Sequence, residues 1–149
     1  MAETEQPGQR LILRTDGASR GNPGQAAAGI VIEREDGTQL AVGKRYLGVL
    51  TNNQAEYRAL ILGLETVAAY APAVVTVYMD SELVVRQMTG RYKVNPGPLL
   101  ELHHEARALV AALPKVTFNH VLRGGNAAAD RLANAAIDES NRAKMTRER

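Results

Sequence analysis

Leu11-Ile12-Leu13-Arg14-Thr15-Asp16-Gly17-Ala18-Ser19-Arg20-Gly21-Asn22-Pro23-Gly24 runs from an apolar stretch into one carboxylate and then into a glycine-rich run. An acid at the end of a strand bound for a core has two explanations. Asp before Gly is ordinary turn chemistry. Alternatively, Asp16 is presented on a rigid edge to something that requires a carboxylate. The rest of the chain bears on the choice.

The 149 residues, 45% hydrophobic and 23% charged, suit one folded domain with a sizeable core. Aromatics are 4% and Trp is absent, so Leu, Val, Ile and Ala must fill that core. The lack of Cys excludes disulfides and thiolate metal sites. Residues 1–9 are polar, without the apolar stretch of a secretory signal, and read as a flexible segment before a domain over residues 10–140. No run approaches ~20 apolar residues, so no membrane association is expected and cytoplasm is the default. A net charge of +2 and a pI near 9.1 are compatible with a nucleic-acid partner. Arg142, Lys144, Arg147 and Arg149 face only Glu148 over residues 141–149, which reads as a flexible, solvated tail or as a loose phosphate-contacting arm. Nothing implies a protein partner, and the expectation is a monomer.

Leu11 to Thr15 reads as a buried strand and Ala27 to Glu33 as a second, with Gly29 marking a close backbone approach. Asp36-Gly37 then turns the chain into the alternation Gln39 to Leu47, a hairpin signal. Tyr57, Leu60, Ile61, Leu64 and Ala68 recur at helical spacing, predicting a helix from about Asn53 to Ala71. Val74 to Met79 is a β-branched run suited to a strand buried on both faces. Helices over Ser81 to Gly90 and Leu99 to Leu113, a strand over Lys115 to Leu122, and a helix from Ala127 to about Glu139 complete the order βββαβααβα. That order is α/β with a mixed sheet.

Four carboxylates punctuate these elements, and each has an innocent reading. Asp16 is a turn residue. Asn53-Gln54-Ala55-Glu56 is a capping-box variant. Asp80 is a helix N-cap. Asp130 suits a helix dipole, with Asn126 as the cap before it. Taken together, however, Asp16 and Asp80 end interior strands, and Glu56 and Asp130 start helices that pack on the same sheet. Acids converging on one rim repel unless a cation lies among them. Hard divalent ions take such oxygens, and two of them can clamp a phosphoryl displacement.

Asp16 to Gly24, Thr51-Asn52-Asn53-Gln54-Ala55-Glu56, Asp80-Ser81 and Asn126-Ala127-Ala128-Ala129-Asp130, in this order, resemble ribonuclease H of type 1. The resemblance implies a ribonuclease H-like fold, with a five-stranded mixed sheet flanked by helices. It implies an endonuclease that hydrolyses the RNA strand of an RNA–DNA hybrid, leaving 5′-phosphate and 3′-hydroxyl ends. The family's catalytic acids carry over onto Asp16, Glu56, Asp80 and Asp130, which would bind two Mg²⁺ or Mn²⁺ ions. Asn22, Asn52, Asn53 and Gln54 match positions that read the hybrid's minor groove, and Thr51 a DNA-phosphate contact. Ser81 and Asn126 are further candidate substrate contacts.

Two departures stand out. Val121-Leu122-Arg123-Gly124-Gly125-Asn126 lacks the histidine that many members carry before the last acid. Arg123 is the nearest functional candidate, or else a surface arginine. His120 reads as a strand-end residue. Second, only Arg91-Tyr92-Lys93-Val94-Asn95-Pro96-Gly97-Pro98 joins two helices, so the chain resembles the compact branch without the basic, Trp-containing protrusion. Arg86, Arg91 and Lys93 supply a smaller contact or a solvated face. His103-His104-Glu105 lacks the i, i+4 pair of a helical zinc site, and both histidines read as helix-surface residues. Cleavage of double-stranded RNA, or a non-catalytic nucleic-acid-binding module of the same fold, are the alternative functions.

Overall fold

In the computed structural model, which describes residues 8–147, the alternating apolar residues form five strands: β1 (Arg10–Gly21), β2 (Gly24–Arg34), β3 (Gln39–Leu50), β4 (Val74–Met79) and β5 (Val116–His120). They make one mixed sheet in the order β3-β2-β1-β4-β5. β1 pairs antiparallel with β2 and parallel with β4, and β4 pairs parallel with β5. The helices are α1 (Asn52–Ala68), α2 (Glu82–Met88), α3 (Pro98–Ala111) and α4 (Ala127–Arg147), with a 3-10 turn over Arg123–Asn126. This is the expected α/β architecture in the expected order.

Strand alternation sorts the chain into two layers. Leu11, Leu13, Ile30 and Ile32 meet Tyr57, Leu60 and Leu64 of α1 in the larger core, which α2 and α3 extend. On the other side, Ala18 and Ala27 meet Ala133, Ala136 and Ile137 of α4. That second contact is made of small side chains, so α4 lies very close to the sheet. No helix among the described residues is long and apolar enough to cross a membrane.

Three features depart from expectation. β1 does not stop at Thr15. It stays paired with β2 to Gly21↔Gly24, leaving Asn22-Pro23 as a two-residue turn, so the glycine-rich stretch is a hairpin end. Its pairing with β4 ends earlier, at Arg14↔Tyr78, so Asp16 still sits where the parallel part of the sheet opens. Second, α4 does not end near Glu139. Gln25 on β2 and Asn141 exchange side-chain hydrogen bonds of 2.7 and 3.3 Å, and Lys144 lies over the Tyr46 ring. These contacts carry the helix to Arg147, through most of the segment predicted to be a flexible tail; Glu148 and Arg149 lie outside the described residues. Third, of the predicted flexible start, residues 1–7 lie outside the described residues, while Gly8 and Gln9 bond through their backbones to Ala71 and Ala73.

Gly29 is where α4 touches β2. A Cβ there would lie 2.1 Å from Ala129 O and 2.7 Å from Ala133 N. Gly124, by contrast, has open space around it. Gly29→Ala is therefore expected to cost about 3 kcal/mol in urea unfolding, against about 0.5 kcal/mol or less for Gly124→Ala. Equal costs at the two positions would contradict the packing described.

Candidate active site

Helix capping decides which side chains are free to act. α1 is capped by Thr51, whose Oγ1 accepts from Gln54 N at 3.2 Å, while Gln54 Oε1 accepts from Thr51 N at 2.9 Å. The capping box is therefore Thr51–Gln54, two residues earlier than predicted. α2 is capped by Ser81, which accepts from Val84 N at 3.2 Å, and not by Asp80. In both cases the neighbour does the capping and the carboxylate is left available.

Glu56 turns instead toward β1, where its Oε1 accepts from Gly17 N at 2.8 Å. Gly17 permits this approach, because a Cβ there would lie 2.3 Å from Ala55 O and 2.4 Å from Glu56 N. Carboxylate oxygens of Asp16, Glu56 and Asp80 lie within 4.8 Å of one another. Asp130, from the first turn of α4, has its carboxyl within hydrogen-bonding reach of Asp16. These acids line one cleft of about 390 Å³, which Asn52, Arg20, Arg123 and Asn134 also face. The four predicted acids come together.

Packing raises the proton affinity of Asp16 and Glu56. Asp16 is only 4% exposed. Burial first, then the charges of Glu56 and Asp80, push its carboxyl up to about 10. Glu56 is pushed to about 8, chiefly by burial, against the lowering effects of the Gly17 N–H and the nearby Arg123 guanidinium.

Other predicted residues fare differently. Asn22 Oδ1 accepts from Asn52 N at 3.0 Å, so the β1–β2 turn is tied to the start of α1. Asn52 faces the acidic cleft, whereas Gln54 lines a separate one with Arg58 and Glu101. Asn53, half-buried at the start of α1, does not line the acidic cleft. Asn126 is 1% exposed and donates from Nδ2 to Thr15 O at 2.6 Å, so it is a staple between the 3-10 turn and β1. It neither caps α4 nor lies open to a substrate. Arg14 Nη1 donates to Gly125 O at 3.0 Å and Val121 N to Met79 O at 2.8 Å, fixing the turn that presents Arg123. Arg91 lines a second cleft with Arg86, Thr89 and His120, and Lys93 is exposed on the loop after α2; neither joins the carboxylates. His103 is half-buried against the Tyr57 hydroxyl at 3.3 Å and is not a bare surface residue. Arg20 and Asn134 were not legible as site residues, since only tertiary packing brings them to the cleft.

Over residues 14–136 the chain matches the family described as reverse transcriptase-like. It is 42% identical to ribonuclease HI of Halobacterium salinarum across 133 residues, covering 89% of this chain and 67% of that protein. It is 45% identical to a bifunctional protein of Mycobacterium tuberculosis across 130 residues, and there it spans only 36% of the relative's length. Its fold superposes with a TM-score of 0.84 on a crystal structure of LC11-RNase H1 in complex with RNA/DNA hybrid, at 43% identity over 87% of this chain and 98% of that one.

The raised carboxyls make a prediction for the ion-free protein. A carboxyl whose folded pKa exceeds its unfolded value binds a proton more tightly when folded. Its contribution is complete below about pH 4 and fades as pH rises through about 8 for Glu56 and about 10 for Asp16. In chelator, Tm should therefore fall between pH 5 and pH 9, and Asp16→Asn should flatten that fall and melt higher than wild type at pH 9. Indistinguishable Tm–pH curves for the two proteins would contradict it.

Proposed function

Since this chain belongs to the ribonuclease HI family, we propose that it is a divalent-metal-dependent endonuclease hydrolysing the RNA strand of RNA–DNA hybrids. The observation that carries this reading is the approach of three carboxylates to within 4.8 Å in an open cleft, with a fourth beside them. A buried cluster of acids that no cation neutralises is costly to ionise. The donors are all carboxylate oxygens, the chemistry of Mg²⁺ and Mn²⁺, and the hydrogen bond from Gly17 N to Glu56 holds one of them in place. Asp16, Glu56, Asp80 and Asp130 would hold the ions. When bound, two such ions would activate the attacking water and stabilise the leaving 3′-oxygen, giving 5′-phosphate and 3′-hydroxyl products.

The protein's own part is to orient and discriminate. Asp16, on the central strand just past its last pairing with β4 and still paired with β2, is almost fully buried among the acids and is suited to be shared between ions. Arg123, exposed on a turn fixed at Val121, Gly125 and Asn126, offers a guanidinium to a phosphate beside the carboxylates. It is the nearest functional candidate in a loop that lacks the histidine many family members carry. Asn52 and Asn22, joined at the start of α1, set neutral donors and acceptors along the substrate path, where ribose 2′-hydroxyls distinguish RNA from DNA. Arg91 and Lys93 would meet the hybrid away from the reacting phosphate.

The test uses matched RNA–DNA, RNA–RNA and DNA–DNA duplexes, each with Mg²⁺ and with Mn²⁺. Cleavage of the RNA in the hybrid is expected, and Asp16→Asn or Asp80→Asn should reduce it by about 10³-fold or more while the protein stays folded. Arg123→Ala should lower the rate about 10-fold to 100-fold, the size of a lost hydrogen bond to a charged group. Folded wild-type protein that cuts no hybrid with either ion would overturn the proposal, and a variant lacking Asp16 that still cuts would overturn the site.

A further inference from the structure

Asp130 stands apart from the other three acids. Like Glu56 it is carried by a helix, but its carboxyl, though within reach of Asp16, lies outside the tight trio of Asp16, Glu56 and Asp80. Its orientation is set from one turn further along α4, where Asn134 Nδ2 lies 3.0 Å from Asp130 O and 3.3 Å from Asp130 Oδ1. An amide can present either end, however. With its oxygen toward Asp130, Asn134 would repel the carboxylate it now holds.

The other end of the amide is committed by Arg20. Arg20 Nη2 donates to Asn134 Oδ1 at 3.2 Å and lies 3.4 Å from Asn134 O, while Nη1 donates to Asp138 Oδ1 at 2.8 Å. Asp130, Asn134 and Asp138 follow at i, i+4 and i+8, so they share one face of α4. Arg20 comes from β1, four residues beyond Asp16. The same strand thus carries the central carboxylate and the guanidinium that keeps Asn134 pointing one way. The Arg20–Asp138 pair is 40% and 50% exposed at its side chains, so it contributes little to stability. A weak surface pair holding an amide against a cleft carboxylate is better explained by orientation than by folding.

We propose that Arg20 and Asn134 are positioning residues for Asp130, fixing its carboxylate for ion binding through the relay Arg20–Asn134–Asp130. This rests on the ion-binding reading of the carboxylates given above. It makes the end of the β1–β2 hairpin part of the ion site although no hairpin side chain beyond Asp16 need touch an ion. The fork geometry of Arg20 matters as well as its charge, because its two terminal nitrogens serve two different residues.

The experiment is Mn²⁺ titration calorimetry on the full chain, alongside kcat and KM for hybrid cleavage. Asn134→Ala should weaken Mn²⁺ binding and lower kcat about tenfold each, with KM for hybrid changed less than about twofold. Arg20→Ala should shift both in the same direction by several-fold. Arg20→Lys, which can still pair with Asp138, should fail to restore them. In an Asp130→Asn background, Asn134→Ala should weaken Mn²⁺ binding no further. The relay is overturned if folded Asn134→Ala binds Mn²⁺ and turns over like wild type, or if its effect persists undiminished without Asp130. Arg20→Ala and Arg20→Lys alter an exposed pair and decide the matter should Asn134→Ala not fold; wild-type behaviour in both would also overturn it. If the wild-type chain binds Mn²⁺ yet cuts no hybrid, the nuclease reading falls while the affinities still test the relay.

Discussion

Two helices touch the backbone of the central hairpin at glycines, and the whole site depends on those contacts. At Gly17 the start of α1 lies where a Cβ would be, which brings Glu56 onto the strand that carries Asp16. At Gly29, paired directly across from Asp16, the first turns of α4 do the same and bring Asp130 in from the other face. A methyl group at either position would push a helix outward and separate the acids. The sequence thus assembles four carboxylates from four elements by removing side chains beside them, and the acids then repel in a site that burial makes costlier still. A site of this kind lowers the stability of the ion-free fold in exchange for cation affinity.

Much of this was legible beforehand, for physical reasons. The β-branched run Val74 to Met79 matches its strand in extent, although only Val75, Val77 and Met79 are fully buried and the other face is half-covered, not buried on both faces as expected. The stripe Tyr57, Leu60, Ile61, Leu64 lies in the core. Gly29 as a close backbone approach was readable because a lone glycine within a strand has few other uses. The four acids were readable as a set, since each falls at an element boundary. Caps were less so. Asn53 and Ser81 both offer capping side chains near acids, and only the φ and ψ of Thr51 and Ser81 decide which residue precedes the first turn. Local spacing cannot choose between boxes two residues apart.

Tertiary partners account for the rest. α4 continues to Arg147 through contacts with Gln25 and Tyr46, far away in sequence. β1 outlasts Thr15 because β2 supplies a partner all the way to Gly21. Asn126 resembles a cap and is instead a buried tie to β1. Arg20 lies in a motif whose aspartate and glycines draw the eye, and its partners are more than 110 residues away. In the short turn after β5, ties from Arg14, Asn126 and Val121 give Arg123 a fixed position where a longer loop would be mobile.

The central claim is that the carboxylates exist to hold divalent cations. Crystals grown with Mn²⁺ and measured near the manganese absorption edge test it most directly. The account predicts an anomalous peak coordinated by oxygens of Asp16, Glu56 and Asp80. A cleft with ordered carboxylates, well-occupied solvent and no anomalous peak at millimolar Mn²⁺ would contradict it.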